Sequence, residues 1–359
     1  MPHFDELPAK RRLPVLKTPK LTSLEVAQLA HVSQATVSRA LRDSPLVRPE
    51  TRARVQEIAK ELHYRTDRSA AGLRTRRSRT LALLLFEESP DEAQINPFFL
   101  SMLGHITRTA ARRNFDLLVS FQQLSDDWHT DYELSNRADG LILLGYGDYL
   151  SYADRLRHLA ETDTHFVIWG PVVEDQPGHY LRCDNILGAR LATEHLLGLG
   201  RRHIAFVGGA SDHCPEFQQR YRGYAEALRE AGITPDGRLQ PEARSQEADG
   251  YRACLQLLDA GIKFDAVCAA SDLIAMGVIH ALQDRGLVVP AGIAVVGFDD
   301  IASAADFNPP LTTVRQDTRL AGELLVDNLI RLIDGQAVES TLITPQLVVR
   351  ASCGCRLAG

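Results

Sequence analysis

The sequence predicts a small all-α head joined to a two-lobed α/β body. A helix-turn-helix pattern lies within residues 22–64, and after residue 80 the apolar residues form short strands that alternate with amphipathic helices. The net charge also changes sign at the boundary between head and body. Residues 1–79 hold 17 Lys and Arg against 8 Asp and Glu, a balance of +9, whereas the remainder holds 23 against 38, a balance of −15. The 359-residue chain is long enough for such a head and a body of two subdomains.

Helical spacing predicts the first two helices of the head. Val26, Leu29 and Ala30 recur on one helical face and are expected to point into the head core. Ser33 is a favourable N-cap for a second helix that is expected to end near Leu41. On this second helix the residues expected to point inward are Val37, Ala40 and Leu41.

A third helix is predicted from Pro49 onward, because proline suits the first position of a helix. Its apolar face consists of Val55, Ile58, Ala59 and Leu62. The outer surface of the second helix keeps small and polar side chains, which suit the major groove of DNA. A small helical core with a solvated outer face is the alternative, but the basic charge around the pattern favours a phosphate-binding surface.

Short apolar runs predict the strands of the body: 81–86, 117–121, 140–144, 166–169, 204–207, 266–269 and 293–298. Amphipathic segments predict its helices: 98–113, 187–199, 217–231, 247–260, 271–285 and 316–334. Continuous runs of Val, Ile and Leu with helical crossovers are typical of parallel sheets that are covered on both faces. The body is therefore predicted to contain two such sheets hinged together.

A series of motifs follows in order along nearly the whole chain. They are the run from Val26 to Leu41, Pro49-Glu50-Thr51-Arg52, Leu62-His63-Tyr64, Leu73-Arg74, Ser78-Arg79-Thr80, Asn96-Pro97-Phe98-Phe99, Val295-Val296-Gly297-Phe298-Asp299-Asp300 and Pro309-Pro310-Leu311-Thr312-Thr313-Val314-Arg315-Gln316. Together these motifs resemble the lactose-repressor (LacI/GalR) family of transcriptional regulators. The resemblance implies a DNA-binding head, a hinge, and a periplasmic-binding-protein-like body that binds a small effector between its lobes.

Two positions depart from the family pattern. His31 stands where the family usually has a glycine in the turn, which predicts a non-glycine residue at positive φ. Thr66-Asp67 replaces the usual Pro-Asn before the hinge, which places a carboxylate beside the DNA.

The motifs divide the chain into five segments. Residues 1–20, which include four prolines, lie outside the resemblance and are expected to form a flexible basic arm. The other expected segments are 21–65 for the helix-turn-helix domain, 66–79 for the hinge, 80–350 for the effector-binding and dimerisation body, and 351–359 for a tail.

The resemblance and the major-groove argument together indicate the DNA-binding residues. Base edges are expected to be read by Gln34, Ala35 and Arg39. Phosphates are expected to be held by Thr22, Thr36, Ser38, Thr51 and Tyr64. In the hinge, Leu73 is expected to wedge into the minor groove with Arg74 beside it.

Open parallel sheets bind ligands just past the carboxyl ends of their strands. This rule selects the candidate effector-binding residues Phe98, Trp169, Asp184, Arg220, Ser271 and Asp299. Aromatic faces stack on the C–H faces of pyranoses, and carboxylates with a guanidinium bond vicinal hydroxyls. The resemblance implies effector-binding roles for Arg220 and Asp299, whereas Ser271 occupies a position often held by Asn. A sugar or small oligosaccharide is therefore expected, with a purine or another effector as the alternative.

Structural roles remain open for most of these residues. Asp299 could brace a turn, Arg220 could pair with an acidic neighbour, and Asp184 could cap the following helix. Phe98 and Trp169 could be core aromatics.

Composition and motifs also argue against several classes of protein. The chain has no apolar run of about 18–20 residues and no apolar signal segment, so a cytoplasmic protein, associated with the nucleoid when bound to DNA, is expected. Phosphate-loop, serine-hydrolase and zinc-protease motifs are absent, so neither an enzyme nor a cofactor is expected. The twelve His show no metal-ligand spacing. A sugar-binding protein whose basic head is incidental is the alternative to an effector-controlled repressor.

The six cysteines are scattered, as expected for reduced thiols in a long intracellular chain. Cys353-Gly354-Cys355 could be a metal or redox pair, but no His and no second Cys pair lies nearby in the sequence, so it is interpreted as part of the tail. The expected partners are palindromic double-stranded operator DNA, a small effector and a second copy of the chain.

Overall fold

The computed structural model describes residues 22–41, 43–62, 64, 77–86, 95–145, 149–170 and 177–355, without the side chains of Leu150 and Ser151. The chain divides into two compact units, residues 1–76 and 77–359. Predictions for the arm, for Thr66-Asp67, and for Leu73 and Arg74 lie outside the described residues.

The head contains three helices: α1 (Ser23–Leu29), α2 (Gln34–Ala40) and α3 (Pro49–Glu61). Their shared core consists of Val26, Ala27, Ala30, Val37, Ala40, Val47 and Val55. The prediction for Leu29 is wrong, since 56% of this residue is exposed. The seven-residue α1 packs through Ala27 instead, because the buried face is centred on Val26, Ala27 and Ala30 rather than on Leu29.

The turn between α1 and α2 confirms the prediction for His31, whose φ is 49°. This left-handed residue lets Val32 N donate to the Ala27 carbonyl, at 3.0 Å, while His31 N donates to the Gln28 carbonyl, at 3.2 Å. These two bonds satisfy carbonyl groups at the end of α1 that the helix itself leaves without donors. The turn therefore needs the backbone conformation and not glycine itself.

The body has two sheets. Its strands are β1 (Thr80–Leu85), β2 (Asp116–Phe121), β3 (Leu141–Leu144), β4 (Phe166–Trp169), β5 (His179–Cys183), β6 (Ile204–Val207), β7 (Ala266–Ala269), β8 (Ala294–Asp299), β9 (Thr312–Arg315), β10 (Thr341–Ile343) and β11 (Gln346–Val348). The sheet of the first lobe has the order β10-β5-β4-β3-β1-β2 and is parallel throughout. The sheet of the second lobe has the order β11-β9-β8-β7-β6, and only its edge strand β11 is antiparallel.

Helices cover these sheets: α4 (Pro97–Arg112), α5 (Tyr149–Glu161), α6 (Asn185–Gly198), α7 (Pro215–Glu230), α8 (Glu247–Asp259), α9 (Asp272–Asp284), α10 (Ser303–Asp306) and α11 (Thr318–Ile333). Side-chain caps define several starts. Asn96 accepts a bond from Phe98 N at 3.0 Å, and Asp317 accepts one from Leu320 N at 2.9 Å. The predicted all-α head and two-lobed α/β body are confirmed.

The chain passes between the lobes three times: after β5, after β9 and after β10. Strands β5, β9, β10 and β11 and helix α5 are not predicted by the apolar runs. Their sequences are short or rich in polar residues, and their pairing with neighbouring strands rather than their own pattern decides their structure. Within the predicted tail, Ala351–Cys353 forms a 3₁₀ turn in which Ser352 and Cys353 are buried.

Within the described ranges, no helix has the length and apolar character needed to cross a membrane.

Candidate functional site

The outer face of α2 carries the side chains expected to read DNA bases. Gln34, Ala35 and Arg39 are exposed, whereas Thr36 and Ser38 are half-buried. Among the other predicted phosphate contacts, Thr22 is exposed and Thr51 and Tyr64 are half-buried, with Tyr64 packed against the head core.

Short polar contacts fix the start of α2. Ser33 Oγ accepts a bond from Thr36 N at 3.1 Å and lies 2.9 Å from the Thr36 hydroxyl. Gln34 Nε2 donates to Ser23 Oγ at 3.3 Å, which ties α2 to α1. The cap fixes the helix start, so the side chains that follow it project in defined directions.

A buried polar cluster surrounds Arg220 in the second lobe. Its Nη1 lies 3.6 Å from Asp299 Oδ1 and donates to the Ala270 carbonyl, while its Nε donates to Asn185 Oδ1 at 2.9 Å. The guanidinium also lies over the ring of Phe298, 3.8 Å from the ring centre. Arg220 thus has an acidic neighbour, and that neighbour is another predicted site residue.

Asp299 ends β8 with φ at 123°, a conformation that is strained for a residue other than glycine. Gln316 Nε2 donates to Asp299 Oδ1 at 2.7 Å. Burial raises the pKa of Asp299 to about 6, although the positive charge of Arg220 opposes this rise. Backbone strain and a raised carboxyl pKa both occur often at functional sites, so Asp299 stays a candidate ligand-binding residue.

Asp272, the first residue of α9, is an electrostatic neighbour of Asp299 in this cluster. It is fully buried, and it accepts bonds from the Thr313 hydroxyl and from Ile301 N, the latter at 2.9 Å. Burial and the nearby Asp299 carboxylate raise its pKa well above the ordinary value. A Cβ at Gly297 would lie 2.3 Å from Asp272 Oδ1, so only glycine leaves room for this carboxylate.

Phe98 and Trp169 lie together in the first lobe, with ring centres 6.0 Å apart, and both are buried. Phe99 packs edge-on against Phe98 at 5.3 Å. Phe98 and Trp169 belong to the main apolar core of the body, and Phe99 packs against it.

Ser271 takes part in a chain of bonds that crosses from one lobe to the other. Asn96 Nδ2, at the start of α4, donates to Ser245 Oγ at 3.3 Å, and Ser245 Oγ donates to Ser271 Oγ at 2.9 Å. Ser271 Oγ also accepts from Ile274 N at 3.3 Å and so caps α9. These hydrogen bonds link Ser271, through Ser245, to Asn96 at the start of the helix that carries Phe98.

Asp184 accepts a bond from Leu187 N at 3.0 Å and caps α6, the alternative role open to it from the sequence. Its neighbour Asn185 contacts Arg220. The structure thus brings Asp184, Arg220, Ser271 and Asp299 to one edge of the second lobe, directly or through adjacent residues.

Two residues of the cluster, Asn185 and Gln316, are missed by the sequence reasoning. Gln316 follows the carboxyl end of β9, so the same strand-end rule selects it once β9 is known. Asn185 is adjacent to the predicted Asp184 and could have been found from that position.

Among the described residues, no group of three or more His, Cys, Asp or Glu side chains is arranged to hold a metal ion.

Two family models match the chain. Residues 22–67 match the model described as bacterial regulatory proteins, lacI family, and residues 193–353 match a periplasmic binding protein-like domain. The chain is 33% identical over 350 residues to the transcriptional regulator CelR of Thermobifida fusca, covering 96% of this chain and 99% of that protein. It is 30% identical over 338 residues to the ribose operon repressor of Escherichia coli K12, covering 92% and 99%.

Solved structures agree with these matches. A structure of a CelR–cellobiose complex has a TM-score of 0.69 at 31% identity and covers 92% of this chain and 99% of that one. The lac repressor dimer bound to operator and an anti-inducer has a TM-score of 0.79 at 28% identity and covers 93% and 99%. The resemblance seen in the motifs is therefore confirmed, and the chain belongs to the LacI family of DNA-binding bacterial transcriptional regulators.

Proposed function

We propose that this chain is a dimeric repressor of carbohydrate-utilisation genes whose operator affinity is controlled by a small sugar bound between the two lobes of its body. The buried Arg220–Asp299 pair is the observation that carries this proposal. Asp299 ends the parallel strand β8, and Arg220 reaches from α7 to the carbonyl of Ala270, directly after β7. Ligands bind at the carboxyl ends of such strands, and charged hydrogen-bonding groups there suit vicinal hydroxyls.

The neighbourhood of the pair supports a sugar. Gln316 and Asn185 add amide groups that both donate and accept, which matches the dual character of sugar hydroxyls. Phe98 and Trp169, which are buried side by side in the first lobe, are the aromatic side chains that would stack on a pyranose. CelR, whose solved complex contains cellobiose, makes a disaccharide a reasonable first probe.

The head would bind a palindromic operator as one half of a dimer. The structurally similar lac repressor has been solved as a dimer bound to operator. Gln34, Ala35 and Arg39 would read base edges. Thr22, Thr36, Ser38, Thr51 and Tyr64 would contact phosphates, and Leu73 with Arg74 would enter the minor groove. Sugar binding would change the relative orientation of the lobes and so shift the operator affinity.

Two measurements test the proposal. Genomic fragments retained by the protein define its operator. Calorimetry with cellobiose, glucose, ribose and a purine base, followed by operator titration with each compound, then identifies the effector class. We expect one of the sugars to bind and to change the operator affinity. Binding of the purine alone would replace the sugar with the alternative effector, and failure to retain any DNA sequence selectively would overturn the regulatory role.

A further inference from the structure

Cys353 lies against a histidine that is distant in the sequence. The Ala351–Cys353 turn buries Cys353, and His195 Nε2 on α6 lies 3.2 Å from Cys353 Sγ. Burial acts to raise the pKa of this thiol, but hydrogen bonds with His195 and Thr312 outweigh it, so the pKa of Cys353 lies below its ordinary value. A neutral imidazole can accept the thiol proton, and the resulting thiolate is the reactive form of cysteine.

Cys355 is folded back onto Cys353. Its N–H donates to Cys353 Sγ at 3.5 Å, and Cys355 itself is only half-buried. Gly354 between them has φ at 83°, a left-handed conformation that glycine adopts without strain. Two thiols, an adjacent base and a turn that holds them together are the components of a dithiol redox site.

Three other cysteines have the opposite character. Burial raises the pKa of Cys183, Cys254 and Cys268 to about 12. These thiols stay protonated at neutral pH and react slowly. Cys214 is half-buried, like Cys355, so its oxidation shows the effect of solvent accessibility alone.

We propose that Cys353 and Cys355 form a reversible intramolecular disulfide when a hydroperoxide oxidises the protein. The Cys355 thiol attacks the peroxide while its S–H proton passes to the leaving oxygen, so that an S–O bond forms, the O–O bond breaks and an alcohol or water leaves. Cys353 gives its proton to His195 and attacks the sulfur of the Cys355 sulfenic acid. The S–S bond forms, the S–O bond breaks, and hydroxide leaves as water with the proton from His195. Two electrons pass from the dithiol to the hydroperoxide.

The redox pair adjoins the turn that holds Asp299. Cys353 Sγ lies 3.5 Å from the Arg350 carbonyl oxygen, and the Arg350 guanidinium donates to Asp300 Oδ1 at 2.7 Å. A disulfide across one glycine is a small, strained ring, and strained disulfides have oxidising potentials. The bond would therefore be reduced again by cellular thiols once the peroxide is consumed.

The sequence offers a direct assay. Trypsin cleaves after Arg350 and Arg356, and the resulting peptide Ala351–Arg356 contains these two cysteines and no other. The reduced full-length protein is treated with graded hydrogen peroxide, denatured, alkylated, digested and analysed by mass spectrometry. We expect this peptide to escape alkylation and to be two hydrogen atoms lighter, at doses that leave the peptides of Cys254, Cys268 and Cys214 alkylated. Dithiothreitol should restore two alkylation sites.

Variants separate the roles of the residues. His195→Leu should slow disulfide formation about tenfold or more at pH 7, since an ordinary thiol is mostly protonated there. The difference should disappear above about pH 9, where cysteine ionises without a base. His203 is an exposed histidine of the same lobe, so His203→Leu is the matched control. His195→Asn is a second variant for use if His195→Leu does not fold. Cys353→Ser should leave a Cys355 sulfenic acid that dimedone traps.

Other outcomes would overturn the proposal. One is double alkylation of Ala351–Arg356 at doses that already oxidise Cys214. Another is oxidation of this peptide to sulfinic or sulfonic acid without loss of two hydrogen atoms. A third is equal rates for His195→Leu and the wild type at pH 7, which would exclude a role for His195 as the base.

Discussion

Arg220 and Asp299 are the two side chains at the centre of the proposed sugar site, and they lie 3.6 Å apart. An arginine has five N–H donors, and in Arg220 the Nε and Nη1 groups already bond Asn185 and Ala270. These bonds hold the guanidinium in a fixed orientation beside Asp299. A ligand that replaces part of this network meets groups that are already oriented, which lowers the ordering cost of binding.

Arg220→Ala and Asp299→Ala are each expected to weaken sugar binding by about tenfold or more, because a hydrogen bond to a charged group contributes roughly 1.5–3 kcal/mol. Operator binding should persist, since the head is unchanged. Arg222→Ala is the matched control, because Arg222 lies on the same helix but is exposed and pairs with Glu226. Calorimetry on the sugar identified with the wild type is the measurement. Wild-type affinity in both cleft variants would place the effector site elsewhere.

The pH dependence of sugar binding should report Asp299. Burial raises the pKa of Asp299 to about 6, against the opposing effects of the Arg220 charge and of the hydrogen bond from Gln316. Below that value the carboxyl is protonated and loses its charge as an acceptor, so the sugar affinity should fall about tenfold between pH 7 and pH 5. The fold should not be lost over this range on account of Asp299. Its folded pKa lies above the ordinary 3.8, so protonation of this group favours the folded state.

Asp299→Asn removes the titrating group and provides the control. Its sugar affinity, although weaker, should vary little over the same pH range. An unchanged pH dependence in this variant would assign the titration to another group, such as Asp272.

Arg39 is the exposed charged side chain of the predicted reading face. A groove-facing arginine that pairs with guanine contributes roughly 1–3 kcal/mol of discrimination. Arg39→Ala should therefore relax the preference at one symmetric base position of each half-site in a binding selection. Arg54 is an exposed arginine on α3, whereas the predicted base-reading residues lie on α2. Arg54→Ala should therefore leave base preferences unchanged. An equal loss of affinity on every sequence would make Arg39 a phosphate contact.

At the scale of elements, the packing of α6 against α7 brings the site together. These helices carry Asn185 and Arg220, and they approach so closely that a Cβ at Gly223 would lie 2.1 Å from the Ile186 carbonyl oxygen. Because Gly223 has no side chain, the two helices approach closely enough for Arg220 to hydrogen-bond Asn185.

Gly223→Ala should consequently destabilise the body by about 1–3 kcal/mol or more, because a backbone carbonyl cannot move aside as a side chain can. Gly198→Ala, at the end of α6, meets no atom within 4 Å and should be neutral or slightly stabilising. Thermal unfolding of both variants is the measurement, and equal melting temperatures would mean that the helices separate at little cost.

At the scale of the whole molecule, charge is distributed unevenly. The first 79 residues carry +9 and the rest carries −15. Positive charge in the head would attract the phosphate backbone, whereas the acidic body would be repelled from it.

The affinity for operator should therefore fall steeply with salt, with a linear dependence of log K on log salt concentration and a slope set by the number of phosphates contacted. Sugar binding in the cleft should change little over the same range, because the Arg220–Asp299 pair is buried and only weakly screened. Parallel titrations from low to high salt test both statements. A flat salt dependence of operator binding would argue against phosphate contacts by the head.

The sequence alone determined the order of the head helices, the cap at Ser33, the left-handed turn at His31, and the alternation of strands and helices in the body. These features depend on local periodicity and on backbone preferences, which a short segment carries in its own residues. The sequence also selects Arg220 and Asp299 as candidate site residues, because the carboxyl ends of apolar strands can be located without knowledge of their partners.

Only the tertiary structure decided the remaining features. Strands β5 and β9 have weak patterns and owe their conformation to neighbouring strands, so Gln316 was not visible as a strand-end residue. Leu29 lies outside the head core because packing against the neighbouring helices determines which face of a short helix is buried. His195 and Cys353 are 158 residues apart in the chain, and contacts of that kind arise only when α6 and the C-terminal turn pack onto the same sheet.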